Sequence, residues 1–266
     1  MLSFEKISGV IDLKEYLGAK KILEKKREYI MPCLGHFYAE PPQFVRGEMQ
    51  YLFDTSGKKY LDCYSGVSVI NCGHCNPFIA ERMIEQIKTL QHVCNIYLTE
   101  NFVNLAERLA EVTPGDLQKS FFCSTGTEAN EGSLLLASIY TKSSEFIALQ
   151  SGLHGRTKLT MSLTGIGMWR TDTNPVGGIN FAPNPYCYRC PLGKNPATCD
   201  LACADKIETI IQSNTSGHPA AFIAEPIQGN AGIVVPPKGY FKRVKEILEK
   251  YGALLIADEV QTGFAR

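Results

Sequence analysis

The sequence predicts an α/β chain built around a mostly parallel sheet, and three observations predict it. Short continuous apolar runs recur at Ser120 to Cys123, Phe146 to Leu149, Ala220 to Ala224 and Ala253 to Ala257. Strands buried on both faces read this way, because neither face needs polar residues. Between the runs lie stretches of helical texture, Glu128 to Tyr140, Ala202 to Gln212 and Tyr240 to Tyr251, and strands that alternate with helices pair in parallel. Composition is the third observation. The 266 residues are 44% hydrophobic and 20% charged, enough for one or two buried cores. The 23 Gly have no three-residue period and the charges balance, which excludes collagen and disorder.

The elements ahead of this alternation carry their own punctuation. Residues Asp12 to Ile30 are rich in helix formers, and Pro32, Gly35, Pro41 and Pro42 then force an extended stretch. Tyr51-Leu52-Phe53 and Tyr60-Leu61 flank Asp54-Thr55-Ser56-Gly57, a hairpin whose Gly tolerates positive φ. Asn76 is placed to cap a helix with Pro77 at its first position, and Ile79, Met83, Ile84 and Ile87 follow at helical spacing. A further helix is expected over 101–112. The predicted organisation is an N-terminal segment, 1–60, of helix, extended stretch and hairpin, followed by one α/β domain over 61–266.

Twenty-seven Lys+Arg against 27 Asp+Glu give no net charge, so there is no long-range field to gather nucleic acid or anionic lipid. Apolar stretches such as Gly252 to Ala257 fall far short of the roughly 20 residues a membrane span needs. The N-terminus mixes acids and bases without a continuous apolar core, unlike a secretory signal. A cytoplasmic protein is expected, with its ten Cys as reduced thiols. The chain stops at Phe264-Ala265-Arg266, directly after a strand and its loop, and a missing C-terminal portion is expected.

In open α/β sheets ligands gather beyond the C-terminal ends of the strands, so the residues after each apolar run are the candidates. Ser124-Thr125-Gly126-Thr127-Glu128-Ala129-Asn130 joins an apolar run to a helix. Its Gly admits close backbone approach, and a helix N-terminus favours a phosphate, although Ser/Thr there also serves as a plain cap. Asp258-Glu259-Val260-Gln261 follows the last run. The acid is either a solvated strand end or a group aimed at a ligand cation. Glu225-Pro226-Ile227-Gln228-Gly229 and Ser151-Gly152-Leu153-His154-Gly155-Arg156 complete the set.

Taken in order, these segments resemble the class III (ornithine/4-aminobutyrate type) pyridoxal-phosphate aminotransferases of fold type I. The resemblance runs from about Asp54 to Arg266. It rests on Ser65-Gly66-Val67 with Asn71-Cys72-Gly73-His74, on Ser124 to Asn130, on His154-Gly155, on Glu225 to Gly229, and on Asp258 to Gly263. It implies the large cofactor-binding domain of that fold, with the N-terminal part of an incomplete small domain. It also implies pyridoxal 5′-phosphate as cofactor, a homodimer or higher assembly, and amino transfer from an amine or ω-amino acid to a 2-oxo acid. Carried over by position, Gly126 and Thr127 would hold the phosphate and Asp258 would pair with the pyridine nitrogen. Gln261 would lie near the 3-hydroxyl oxygen, Leu153 and His154 beside the ring, and Glu225 toward the substrate.

Three departures matter. Leu153 stands where most of the family has Tyr or Phe, so aromatic stacking is lost. Asn230 stands where the ornithine and 4-aminobutyrate enzymes have a Glu that pairs with a mobile Arg. The family's cofactor-linked lysine follows the Asp-Glu-Val-Gln segment, and no Lys follows it here. Lys238, Lys242, Lys245 and Lys250 precede it and read as a helix's polar face. The 266 residues alone are therefore expected to be inactive, and a non-catalytic ligand-binding fragment is one alternative.

The cysteines supply rival readings. Cys187, Cys190, Cys199 and Cys203 fall at x2, x8 and x3 spacing, either as buried thiols or as a structural metal site. Cys72-Gly73-His74-Cys75, ahead of a helix, has the spelling of a thiol-disulfide oxidoreductase, although no βαβ unit precedes it.

Overall fold

A computed structural model describes residues 16–264, and the chain divides into two compact units, Met1–Leu98 and Thr99–Arg266. In the first unit, α1 spans Ala19–Tyr29. Its expected first residues, 12–15, lie outside the described residues, as does the polar N-terminus. Strands β1 (Phe44–Glu48), β2 (Tyr51–Asp54) and β3 (Lys59–Leu61) pair antiparallel in that order. The hairpin between β2 and β3 forms as its residues predict. Asp54 Oδ1 accepts from the Ser56 and Lys58 amides at 2.9 and 3.1 Å, and Gly57 takes φ +83°. Strand β1, between the proline-rich extended stretch and the hairpin, was not anticipated; Gly47 interrupts its short run. A single turn, α2 (Ser65–Ser68), is broken by left-handed Gly66 and Val67. Helix α3 (Pro77–Thr89) starts where Asn76 caps it, its side chain accepting from the Phe78 amide at 3.1 Å.

The second unit opens with α4 (Glu100–Val112). Ser120 to Cys123, expected as a strand, is not one. A strand exists only through its ladder, and this segment pairs with no strand among the described residues; Phe121 is 85% exposed. Thereafter the alternation holds: α5 (Gly126–Thr141), β4 (Phe146–Leu149), α6 (Lys158–Ser162), β5 (Ile179–Ala182), α7 (Ala202–Asn214), β6 (Ala221–Ala224), α8 (Tyr240–Lys250) and β7 (Leu254–Ala257). The four strands form one parallel sheet in the order β5-β4-β6-β7.

Burial follows position in that sheet. Central β4 and β6 are buried at every residue, whereas edge strand β7 alternates between half-buried and exposed. Successive side chains point to opposite faces, so the sheet feeds two cores. Ile147, Leu149, Phe222 and Ala224 meet α7 and α8 through Ile207, Ile211, Val244 and Leu248. Phe146, Ala148, Ala221 and Ile223 meet Leu134, Ala137 and Leu163 on the other side. Helices on both faces are what a parallel sheet requires. Among the described residues no helix is long and apolar enough to cross a membrane.

Candidate active site

The cavity that matters lies wholly within the second unit, beyond the C-terminal ends of β4, β6 and β7. It measures about 220 Å³ and is lined by Gly126, Thr127, Leu153, His154, Glu225, Asp258 and Gln261, all singled out from sequence, and by Asn130, Arg156 and Asn230. Each wall comes from a different element. The head of α5 supplies Gly126 and Thr127, where Thr125 Oγ1 takes the Glu128 amide at 3.1 Å. The first amides of a helix have no intrahelical acceptor, so those of Gly126 and Thr127 remain available to an anion.

Gly126 and Gly155 are required here for space. A Cβ on Gly126 would stand 2.5 Å from Val260 Cγ2, and one on Gly155, at φ +145°, would stand 2.8 Å from Thr127 Oγ1. Bare backbone lets the helix head, the loop after β4 and the loop after β7 come together.

On the same cavity, Asp258 follows β7 and is 5% exposed. Its Oδ2 accepts from Asn130 Nδ2 at 2.8 Å and pairs with His154 Nδ1, also at 2.8 Å. Oδ1 accepts the Val260 amide, at 3.3 Å. Asn130 Nδ2 also donates to the His154 carbonyl at 2.8 Å, so one amide ties α5, the loop after β4 and the strand-end acid together. Asn130 was read from sequence only as part of the loop motif. Its place one turn into α5 was the available signal. His154 is 2% exposed, and its Nε2 is buried without a hydrogen-bond partner among the described residues.

Glu225, directly after β6, is 6% exposed. Its Oε1 accepts from the Leu153 amide and its Oε2 from the Gly229 amide, both at 2.9 Å. Burial pushes its carboxyl above the ordinary value, and the two amides partly offset that. Gln261 lies so close over Gly229 that a Cβ there would overlap its side-chain amide.

The cysteine motifs are placed as follows. Cys187, Cys190, Cys199 and Cys203 all border one small cavity between β5 and α7. Among the described residues no group of three such side chains is disposed to hold a metal ion. Burial raises the Cys203 thiol to about 11. Cys72 and Cys75 are exposed, and between them His74 pairs with Asp62 at 2.7 Å.

A parallel sheet with a helix head and a buried, hydrogen-bonded carboxylate lining one cavity at its strand ends defines an α/β domain. Comparison with known proteins specifies which. Residues 39–266 match the family model "Aminotransferase class-III", and the chain belongs to that family. It is similar to the alanine–glyoxylate aminotransferase 2 homolog 2, mitochondrial, of Arabidopsis thaliana, at 42% identity over 94% of this chain and 51% of that protein. An acetylornithine aminotransferase of Methanosarcina acetivorans is 37% identical over 92% of this chain and 56% of its own length. Among solved structures, an (S)-enantioselective ω-transaminase from Thermomicrobium roseum superposes with TM-score 0.85 at 32% identity, over 95% of this chain and 59% of that one. The chain thus spans about half the length of the curated relatives it matches. The family is pyridoxal-phosphate-dependent, and the Pseudomonas jessenii ω-transaminase, at TM-score 0.82 and 30% identity, was solved in complex with PMP. It covers 91% of this chain, which covers 57% of it. The thiol-disulfide reading finds no support in these comparisons.

Proposed function

We propose that the whole protein catalyses pyridoxal-phosphate-dependent transfer of an amino group from an amine or ω-amino acid to a 2-oxo acid. The observation that carries this reading is the joint lining of one cavity by the helix-head residues Gly126 and Thr127 and by the buried Asp258 carboxylate. The residues present fit the cofactor's two charged ends. The Gly126 and Thr127 amides and the Thr127 hydroxyl match a phosphate, and Asp258 matches a protonated pyridine nitrogen. Leu153 and Val260 supply the apolar wall between them. When bound, the cofactor supplies an aldehyde that takes up the amino group and a ring that draws off electrons.

In this reading, the chain's own residues hold and orient. Asp258 would hold a proton at the ring nitrogen, while Asn130 and His154 fix the carboxylate through Oδ2. Leu153 covers the ring face by shape rather than by stacking, and Gln261 serves the ring's 3-hydroxyl side. We further propose a homodimer or higher assembly, supported by the exposed apolar side chains Leu135, Leu136, Ile139 and Tyr140 along α5. A cytoplasmic setting suits the ten unpaired thiols.

The test is an amino-transfer assay on the protein expressed with all sequence its gene encodes. Alanine with glyoxylate heads the substrate panel, because the similar Arabidopsis protein carries that name. Transfer that requires added pyridoxal phosphate is the expected result. Racemisation without transfer would instead favour the activity named for the Thermococcus litoralis leucine/methionine racemase, 35% identical. Neither activity with any donor and acceptor pair would overturn the reading.

A further inference from the structure

Glu225 carries a family motif and stands at a strand end, the position where an acid or base is ordinarily sought. Its geometry indicates a different task. A carboxylate that is to take or give a proton needs a partner within about 2.6 to 3.2 Å, and the partners Glu225 has are backbone amides, which hold their protons. Both oxygens of Glu225 are occupied by backbone donors, Leu153 N–H and Gly229 N–H, each at 2.9 Å. The two amides belong to different loops, one leaving β4 and one leaving β6, and both residues 153 and 225 border the cavity. Beyond Gly229 the next residue, Asn230, also lines the cavity, and the Gln261 side chain rests on Gly229 in the space a Cβ would fill.

We propose that Glu225 is a positioning residue, a two-pronged clasp that sets the separation between the Leu153 wall and the Gly229-Asn230-Gln261 wall. Toward the cofactor this rests on the function proposed above, but the clasp itself does not. The chemistry of the side chain makes the idea specific. A carboxylate accepts on both oxygens at once. A glutamine of the same length has one acceptor oxygen and one donor nitrogen, which would face a backbone N–H with another N–H. Glu225→Gln therefore releases one loop and keeps the other, whereas Glu225→Ala releases both. Each released amide loses the Glu225 acceptor it has among the described residues.

The experiment is site-resolved amide hydrogen exchange on the wild-type protein, Glu225→Gln and Glu225→Ala, with the Phe222 amide in β6 as internal reference. The expected result is exchange about ten- to a hundredfold faster at Leu153 or Gly229 in Glu225→Gln, and at both in Glu225→Ala, with Phe222 unchanged. Unchanged protection at both amides in both variants would overturn the clasp. Uniform acceleration that includes Phe222 would also overturn it, by showing a general loss of stability.

A second arm titrates pyridoxamine 5′-phosphate, a noncovalent probe, and follows affinity and induced circular dichroism. Glu225→Gln should bind about tenfold more weakly, with altered dichroism reporting a re-oriented ring. Equal affinity and an identical spectrum would sever the clasp from the cofactor. Wild-type protein that binds no probe would instead count against the proposed function, while the exchange data would still decide the clasp.

Discussion

Among the described residues of the unit that ends at Leu98, none is buried, whereas the unit that begins at Thr99 encloses two cores around its parallel sheet. The contrast is sharpest between two helices that each carry an apolar stripe. Helix α8 buries Tyr240, Val244, Ile247 and Leu248. Helix α3 leaves Met83, Ile84 and Ile87 more than half exposed. Periodicity makes an amphipathic helix, but the stabilisation comes from whatever layer removes its stripe from water. The cavity residues sit in the unit where that layer exists. A buried Asp258 can be held by Asn130 and His154 only because α5 and the loop after β4 are themselves packed.

That comparison can be broken most decisively by paired truncations. Phe222→Ala, at a fully buried position in β6, should cost about 3 to 5 kcal/mol in denaturant unfolding. Ile84→Ala, at a position 52% exposed, should stay within about 0.5 kcal/mol. A loss above about 2 kcal/mol at Ile84 would show that its face is covered in solution.

Next in size is Asp258→Ala. It removes the acceptor of His154 Nδ1 and one of two acceptors of Asn130 Nδ2, and an abandoned buried donor costs about 1 to 3 kcal/mol. Unfolding curves that match wild type would mean the network adds nothing to the second unit. In the first unit, Asn76→Ala removes the cap of α3 and should cost about 1 kcal/mol, read as faster amide exchange in its first turn.

The smallest effects are in pH, and they have opposite signs in the two units. The His74 hydrogen bond holds Asp62 below its ordinary 3.8, so its stabilisation exists above that value and is lost as pH falls through the lowered one. Burial, chiefly, holds Glu225 above its ordinary 4.5, with His154 pulling down and Asp258 pushing up. Its folded form keeps a proton the unfolded form has released, so its contribution falls as pH rises from 4.5 through the raised value. Asp62→Asn should flatten the acid limb of the first unit's stability curve, and Glu225→Gln should remove the decline above 4.5 in the second. Curves parallel to wild type would refute either assignment.

The parallel sheet was legible because β4 and β6 are buried on both faces and so are uniformly apolar. Strand β5 escaped notice because Asn180 interrupts a four-residue run set between Gly178 and Pro183. Ser120 to Cys123 misled for the converse reason. Its apolar text matches a buried strand, but text does not provide a pairing partner. The strand-end position of Asp258 followed from topology, whereas the helix head at Gly126 followed from its Ser/Thr-Gly residues ahead of a helical stretch, since Ser120 to Cys123 before it is not a strand. What Glu225 does there was illegible, because a bond to a backbone N–H leaves no trace in the partner's residue type. The Leu153 and Gly229 side chains carry no sign of it.

The cavity lined by the head of α5 and Asp258 is the proposed cofactor site. Isothermal titration of pyridoxamine 5′-phosphate into wild-type protein and Asp258→Asn tests it most directly, because this ligand needs no covalent link. The account predicts one saturable site per chain, with affinity reduced about tenfold or more in Asp258→Asn, where a neutral amide replaces the charge facing the ring nitrogen. Equal affinity in the two proteins would contradict it.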